Sequence, residues 1–342
     1  MKVLYVGYAQ GFQNADKFYL LPQKIINGFT RSGHNVYVFN DRDYARYSNI
    51  FRSSRLGIPA VNRKLLEVCG HFQPALIVLG HCEMIANETL ARIRSICAGV
   101  KIVYRNVDPL CYENNVRNIM QRSGHVDGIF ITTAGEILKQ FAHPDTFVCH
   151  MPNLVDNTIE TSRAFASDQC DIDLLFAGHM LGDDDEYRRS ELNNLINALH
   201  GINFRVVGAV EGSPCIFGQE YMNLLARSKM GLCINKTCDY YLYSSDRMSQ
   251  YMGSGMLVYI HANHRFSDVF GSDALIEYQD TRELTDKVLY YAQHDRERRK
   301  IAQTGWTRMH DFFDCRKVAQ YIVERAFALK LSQEYHWPVE LY

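Results

Sequence analysis

The side chains best suited to chemistry form two groups, one in each half of the 342-residue chain. In the first half, His81 and Glu83 follow the apolar run Ala75–Leu79 and Gly80, while Asp108 follows Lys101–Tyr104 within Arg105-Asn106-Val107-Asp108-Pro109. A histidine with an ordinary pKa of about 6.5 can take a proton from a hydroxyl. A carboxylate can do the same, or attack an electrophilic carbon directly. Glu83 and Asp108 are the expected base or nucleophile, with His81 in reserve. In the second half, Asn235-Lys236-Thr237 ends an apolar run, and Ser245-Asp246-Arg247-Met248-Ser249-Gln250-Tyr251-Met252 reads as the start of a helix. Ser245 or Asp246 would cap it, with Arg247 in its first turn. Free backbone N–H groups, the helix dipole and a guanidinium together suit a phosphate or diphosphate. Each charge-assisted hydrogen bond there is worth about 1.5–3 kcal/mol. Lys236, Asp246, Ser249, Gln250 and the strand-end Gly178 are assigned to the same site.

Other motifs argue against competing chemistries. Gly7-Tyr8-Ala9-Gln10-Gly11 follows the first apolar run, but it is not G-x-G-x-x-G. Asp41 and Asp43, split by Arg42, match the dinucleotide pattern poorly, which weakens a dehydrogenase reading. Gly7 and Gly11 still allow close backbone approach to a substrate, and Arg105 is grouped with them as a loop residue of the same half. Asp171/Asp173 and Asp183-Asp184-Asp185 invite a metal reading, but the first pair begins an apolar run and the triplet leads into a helix, where acids favour the N-terminus. His261 and His264 have no third ligand nearby and read as a loop. No metal site is expected.

These residues sit at the ends of apolar runs that must be strands. In the first half those runs are Lys2–Val6, Asn35–Phe39, Ala75–Leu79, Lys101–Tyr104, Gly128–Thr132 and Thr146–His150; in the second, Ile172–Phe176, Phe204–Val207, Met230–Ile234, Leu257–Ile260 and Leu275–Tyr278. Amphipathic stretches separate them, among them Phe18–Arg31, Arg63–His71, Ala134–Phe141 and Thr281–His294. Continuous apolar strands alternating with helices predict parallel sheets covered on both faces. The expected fold is therefore α/β, with two Rossmann-like doubly wound parallel-sheet domains facing a cleft. Their bounds are set at 1–153 and 154–325, with 326–342 returning toward the first. Ligands in such sheets bind beyond the carboxyl ends of the strands, which is where both residue groups fall.

Composition agrees with a globular protein: 47% of residues are hydrophobic and 22% charged. No apolar run approaches the roughly 18 residues needed to span a bilayer. The ten cysteines show no C-x-x-C pair, so buried reduced thiols and a cytoplasmic location are expected, with Cys233 and Cys238 the closest pair. Net charge is near zero but uneven: residues 1–150 carry 17 Lys and Arg against 11 Asp and Glu, and the remainder 20 against 27. Arg42, Arg46, Arg52, Arg55, Arg63 and Lys64 hold much of the basic excess. They read either as a solvated helical face or as a surface for an anionic acceptor or a membrane, at most by peripheral contact at its inner face. No nucleic-acid partner is expected.

From Phe176-Ala177-Gly178 through Asn235-Lys236, Arg247–Gly255, Phe266-Ser267-Asp268-Val269-Phe270 and Glu297–Gly305, the chain resembles group 1 glycosyltransferases of the GT-B architecture. Within them it is most similar to the spore-maturation-protein-like branch. Pro152-Asn153-Leu154-Val155-Asp156 resembles their interdomain segment. The resemblance implies a nucleotide-sugar donor held mainly by the C-terminal domain and a glycan or lipid-linked acceptor held by the other. It also implies no cofactor and no obligatory metal, with Lys236 and Arg247 on phosphate. Gln250 stands where relatives carry a Glu that bonds the nucleotide ribose. The last helix, around Tyr321 to Tyr342, would cross back, with Trp337 as an anchor. A nucleotide-sugar epimerase on the same plan, or a non-catalytic nucleotide-binding module, are the alternatives.

Overall fold

In a computed structural model, which describes residues 1–9, 15–178, 186–208 and 213–342, the chain divides into two compact units. The first joins Met1–Pro152 to Cys315–Tyr342; the second is Asn153–Asp314. Gly11 and Asp183–Asp185 lie outside the described residues.

The first unit carries six strands: β1 (Lys2–Val6), β2 (Asn35–Phe39), β3 (Leu76–Leu79), β4 (Lys101–Asn106), β5 (Gly128–Ile131) and β6 (Phe147–His150). They form one sheet in the order β2-β1-β3-β4-β5-β6, and every neighbouring pair is parallel. Residues 3–6, 76–79 and 128–131 are fully or nearly fully buried, as both-face coverage requires. The helices are α1 (Leu21–Arg31), α2 (Asp41–Tyr47), α3 (Ile58–Phe72), α4 (Asn87–Ile96) and α5 (Glu113–Arg122). Sequence reading missed α2, whose seven residues are too few to show an apolar period. Ala134–Phe141, expected as an α-helix, contains a 3₁₀ helix over Glu136–Phe141 instead.

The second unit repeats the plan with β7 (Ile172–Ala177), α6 (Glu186–Ala198), β8 (Phe204–Val207), α7 (Gly218–Ala226), β9 (Ser228–Cys233), α8 (Asp246–Gly253) and β10 (Leu257–His261). It continues through α9 (Ser267–Phe270), β11 (Ile276–Tyr278), α10 (Thr281–Gln293) and α11 (Asp295–Phe312). This sheet is also all parallel, ordered β11-β10-β9-β7-β8. Its core joins Leu174 and Phe176, Leu192 and Leu195, Met230 and Leu232, Tyr259, Leu284 and Val288.

The C-terminal segment differs from the expected boundary at 325/326. Helix α12 (Cys315–Ala326) already belongs to the first unit. It presses on α1 so closely that a β-carbon on Gly28 would stand 2.2 Å from the Cys315 carbonyl oxygen. The helix ends at Ala326 and does not extend toward Tyr342. Beyond it Trp337 is buried against the rings of Tyr321 and Tyr335, and Tyr342 exchanges two backbone hydrogen bonds with Val148. Seven of the ten cysteines are buried; burial pushes the Cys82, Cys149 and Cys233 thiols up to about 12. No helix among the described residues is long and apolar enough to cross a membrane.

Candidate active site

Strand order reverses between β1 and β3 in the first sheet and between β7 and β9 in the second. Such switch points open a crevice at the carboxyl ends of the strands, where ligands of open α/β sheets bind. Of the residues singled out from sequence, Gly7, His81, Glu83 and Asp108 follow strands beside the first switch point, and Gly178 and Lys236 follow strands beside the second.

In the first unit the switch point is built from glycine. Gly7 ends β1 at φ +140°, and Gly80 ends β3; a β-carbon on Gly7 would meet the Gly80 Cα at 3.4 Å and the His81 backbone at 3.5 Å. The approach Gly7 permits is thus to the β3 turn, which it holds in place. His81 Nδ1 then lies 3.6 Å from Glu83 Oε1 and 3.7 Å from Asp108 Oδ2. The three side chains are partly exposed, at 27%, 45% and 51%. With Nδ1 facing two carboxylates, the proton of the neutral imidazole resides on that nitrogen, leaving Nε2 as the acceptor. Glu83 also meets Arg42 Nη2 at 3.3 Å. His81, foremost, and Arg42 hold the Glu83 carboxyl down at about 2 against the opposing effect of burial. Glu83 is thus held as a carboxylate between His81 and Arg42.

Two helix α5 side chains, unnoticed in sequence, position these groups. Arg122 is 7% exposed and donates to the carbonyls of Cys82 (3.1 Å) and Ile85 (2.7 Å) and to Asn87 Oδ1. It staples the turn that carries His81 and Glu83. Asn115 exchanges amide hydrogen bonds with Asn106 (2.6 and 3.2 Å) and donates to the carbonyls of Asp108 (2.9 Å) and Pro109 (3.1 Å). It pins the turn that carries Asp108. Arg105 departs from its expected loop position. Strand β4 runs two residues further than read and takes Arg105 inside, 1% exposed, with Nη2 donating to Tyr5 Oη at 2.9 Å. Its Nε and Nη1 are buried without a partner. An arginine ended the apolar run in the sequence, but the Tyr5 hydroxyl two strands away accommodates it.

In the second unit α8 begins at Asp246, as expected. Ser245 occupies the N-cap position with extended backbone, yet its hydroxyl makes no capping bond and is buried without a partner. The Ser245 N–H is held by Asn235 Oδ1 at 3.2 Å, and Asn235 in turn donates to the Tyr243 carbonyl and meets His264 Nε2. Arg247 is 9% exposed; its guanidinium lies 4.4 Å over the Phe176 ring, and Nη1 donates to the Ile234 carbonyl at 3.2 Å. Gly178 makes room for it, since a β-carbon there would stand 2.7 Å from Arg247 Nη2. Lys236 follows Asn235 in the chain and is half-buried.

The polar side chains of α8 largely bind one another. Ser249 donates to the Asp246 carbonyl and carboxylate, both at 2.8 Å. Gln250, 4% exposed, donates to Asp246 Oδ2 at 2.9 Å and accepts from the Tyr221 hydroxyl at 2.7 Å. Its amide keeps one N–H and one lone pair for anything else. The helix is anchored by Tyr251, whose hydroxyl accepts the Ala177 N–H at 2.8 Å, and by Asn153, which donates to the Ser244 carbonyl at 2.8 Å.

The remaining motifs are structural. Asp171 pairs with Arg227, and Asp173 meets Lys229 at 2.8 Å and the Asn203 N–H at 2.9 Å. His264 is buried and drawn down to about 4, hence neutral, and bonds the Tyr240 carbonyl at 2.9 Å. His261 bonds the Gln279 carbonyl at 3.0 Å.

Comparison with known proteins bears on this arrangement. Residues 188–324 match a family model described as glycosyl transferase-like. No curated protein matches the sequence. Among solved structures, HepE from Anabaena, in complex with UDP and glucose, superposes with a TM-score of 0.63 at 13% identity, over 96% of this chain and 100% of that one. TarM from S. aureus matches with a TM-score of 0.53 at 11% identity, over 76% of this chain but only 58% of TarM. A putative UDP-N-acetylglucosamine 2-epimerase from Listeria monocytogenes gives 0.55 at 11% identity, over 98% and 99%. At such identities the likeness is one of fold. The chain thus has the two parallel-sheet α/β domains seen in GT-B glycosyltransferases, and the match to the glycosyl transferase-like model lies mainly in the second unit and runs on into α12.

Proposed function

We propose that the protein transfers a glycosyl group from a nucleotide-sugar donor to a hydroxyl of a glycan or lipid-linked acceptor, as in the building of a cell-surface polysaccharide, and that it works in the cytoplasm. The anomeric carbon exchanges its bond to the donor phosphate for one to the acceptor oxygen. The departing nucleoside diphosphate takes up negative charge, and the acceptor hydroxyl gives up a proton. The observation that carries this reading is Arg247 stacked on Phe176 and fitted against Gly178 at a strand-order switch point, beside an uncapped helix N-terminus. Preorganised positive charge of this kind is what a leaving diphosphate requires. Arg247, joined by Lys236, supplies it without a metal, so a chelator leaves turnover unchanged.

His81 serves as the base, with Nε2 accepting the proton while Asp108 and Glu83 hold the imidazole. This reverses the order expected from sequence: Glu83, placed between His81 and Arg42, orients the imidazole in this reading. Product formation by His81→Ala, Asp108→Asn and Arg247→Ala enzymes tests these roles. A base contributes about 10²–10⁴-fold, so His81→Ala lowers kcat by that factor. Arg247→Ala weakens nucleoside diphosphate binding by roughly tenfold to a hundredfold. Wild-type turnover in both His81→Ala and Asp108→Asn would remove the assignment. The likeness to the putative epimerase keeps a second reading open, conversion of the donor sugar with no acceptor present. Incubating the enzyme with donor alone separates the two.

A further inference from the structure

Of the basic cluster noted in the sequence, Arg42 meets Glu83 of the candidate site, while Arg52 and Arg55 stand on a braced loop flanked by Arg46, Arg63 and Lys64. Between α2 and α3 the chain makes an excursion over residues 48–56. Its neck is closed by Gly57, where a β-carbon would come within 2.0 Å of the Ala45 carbonyl oxygen. Inside, Asn49 is a staple: Nδ2 donates to the Ala45 carbonyl at 2.9 Å and the Ser53 carbonyl at 2.8 Å, and Oδ1 accepts the Ser53 N–H at 3.1 Å. The Arg52 N–H closes a turn on the Asn49 carbonyl at 3.1 Å. At the tip of that turn stand Ile50, 90% exposed, and Phe51, 75% exposed.

A loop braced in this way holds two large apolar side chains in water by construction. They are not alone. Of eighteen large hydrophobic residues exposed among the described residues, eight lie between Tyr37 and Ile58. They include Tyr37 and Val38 on β2, which has only one neighbouring strand, and Tyr44, Tyr47 and Leu56. An adjoining groove of about 310 Å³ is lined by Tyr37, Tyr44, Tyr47 and Lys64 among others. Interleaved with this apolar surface are the exposed Arg46, Arg52, Arg55 and Arg63, with the Arg52 guanidinium 5.7 Å over the Tyr47 ring. Residues 42–64 hold six cations and one carboxylate, the buried Asp43; Arg42 pairs with Glu83 and Lys64 with Glu67, which leaves Arg46, Arg52, Arg55 and Arg63 as the exposed positive charge of this face.

We propose that this face docks on an anionic lipid bilayer, with Ile50 and Phe51 entering the headgroup–acyl boundary and Arg46, Arg52 and Arg55 contacting lipid phosphates. Charge complementarity selects this occupant. A second copy would bring the same cations against themselves, and a soluble polyanion would have no use for the apolar tip. Interfacial binding needs both terms, buried apolar area and attraction to anionic lipid. The inference is independent of the glycosyl-transfer reading.

Co-sedimentation of the full chain with vesicles of phosphatidylcholine, alone or mixed with phosphatidylglycerol, tests it. The wild-type protein should sediment with the anionic vesicles, less as salt is raised, and remain free of the zwitterionic ones. Ile50→Ser/Phe51→Ser should weaken binding at least about tenfold. Arg46→Gln/Arg52→Gln/Arg55→Gln should weaken it about fivefold per residue. Ile196→Ser, an exposed apolar change on α6, should have no effect. In a Phe51→Trp variant, indole emission should shift to the blue on adding anionic vesicles. No sedimentation of wild type, or sedimentation indifferent to the Ile50/Phe51 change, overturns the proposal. So does retention on heparin that survives the Ile50/Phe51 change while vesicle binding is absent, which would assign the arginines to an anionic glycan. A dimer abolished by Ile50→Ser/Phe51→Ser would assign the face to self-association.

Discussion

Asp41 and Glu83 sense each other's charge in the first unit, yet they titrate in opposite directions. Glu83 is half-exposed beside His81 and Arg42 and is drawn down to about 2. Asp41 is fully buried, neither carboxylate oxygen has a hydrogen-bond partner, and burial pushes it up to about 6 despite Arg42. For an acid whose folded pKa is raised, the native state holds its proton longer than the unfolded chain does. Stability therefore falls as pH rises from about 4 through 6 and is flat above. The two-unit shift corresponds to at most about 3 kcal/mol. Asp41→Asn should accordingly raise the unfolding free energy at pH 7 by up to that amount and change little at pH 4. Urea melts at the two pH values check this, and a less stable variant at pH 7 would refute it. Glu83 behaves inversely: its contribution is present above about pH 4.5 and is lost as pH falls toward 2. None of this was legible from residue type, because a strand-end Asp reads alike whether its oxygens meet water or a packed interior.

Element by element, strands were legible and their helical supports less so. Every expected strand formed, within two residues at each end, because β-rich apolar runs flanked by helices have one way to be covered on both faces. What Arg122 and Asn115 do from helix α5 was not legible, since their partners are backbone carbonyls 30 or more residues away (Arg122) or in the adjacent turn (Asn115). Arg122→Met would leave the Ile85 carbonyl and Asn87 Oδ1 unpaired and take one of two donors from the Cys82 carbonyl. It should cost about 3 kcal/mol of stability and lower turnover further than the change in folded fraction explains, since His81 and Glu83 ride on the released turn. Turnover per folded molecule that equals wild type would show the staple to be structural only. The contact of α1 with α12 is as exacting: Gly28→Ala must move a backbone carbonyl and should destabilise by about 3 kcal/mol, read as a lowered Tm.

At the scale of the whole molecule, the first unit is assembled from both ends of the chain. Trp337 and Tyr335 pack on Tyr321, and Tyr342 pairs with Val148 on the edge strand β6. Trp337→Ala should therefore lower the stability of the first unit by about 3–5 kcal/mol. The proposed diphosphate residues Arg247 and Gly178 belong to the second unit, which has its own core, so nucleoside diphosphate affinity should persist. Calorimetry with and without UDP distinguishes the outcomes; loss of nucleotide binding in Trp337→Ala would tie the site to the terminal segment.

Local pattern by itself determined the two parallel α/β sheets, the start of α8 at Asp246 with Arg247 in its first turn, and the strand-end positions of His81, Glu83, Asp108 and Gly178. Those features depend on period, on glycine and on the order of runs, all of which are near-neighbour properties. Tertiary structure decided what distant partners control: that Glu83 and Asp108 converge on one imidazole nitrogen, that Arg105 is interior beside Tyr5, that Gln250 is bound by Asp246 and Tyr221, and that Cys315 rather than residue 326 begins the return to the first unit. In each case the deciding quantity is a distance across the sheet or between helices, and no spacing along the chain encodes it.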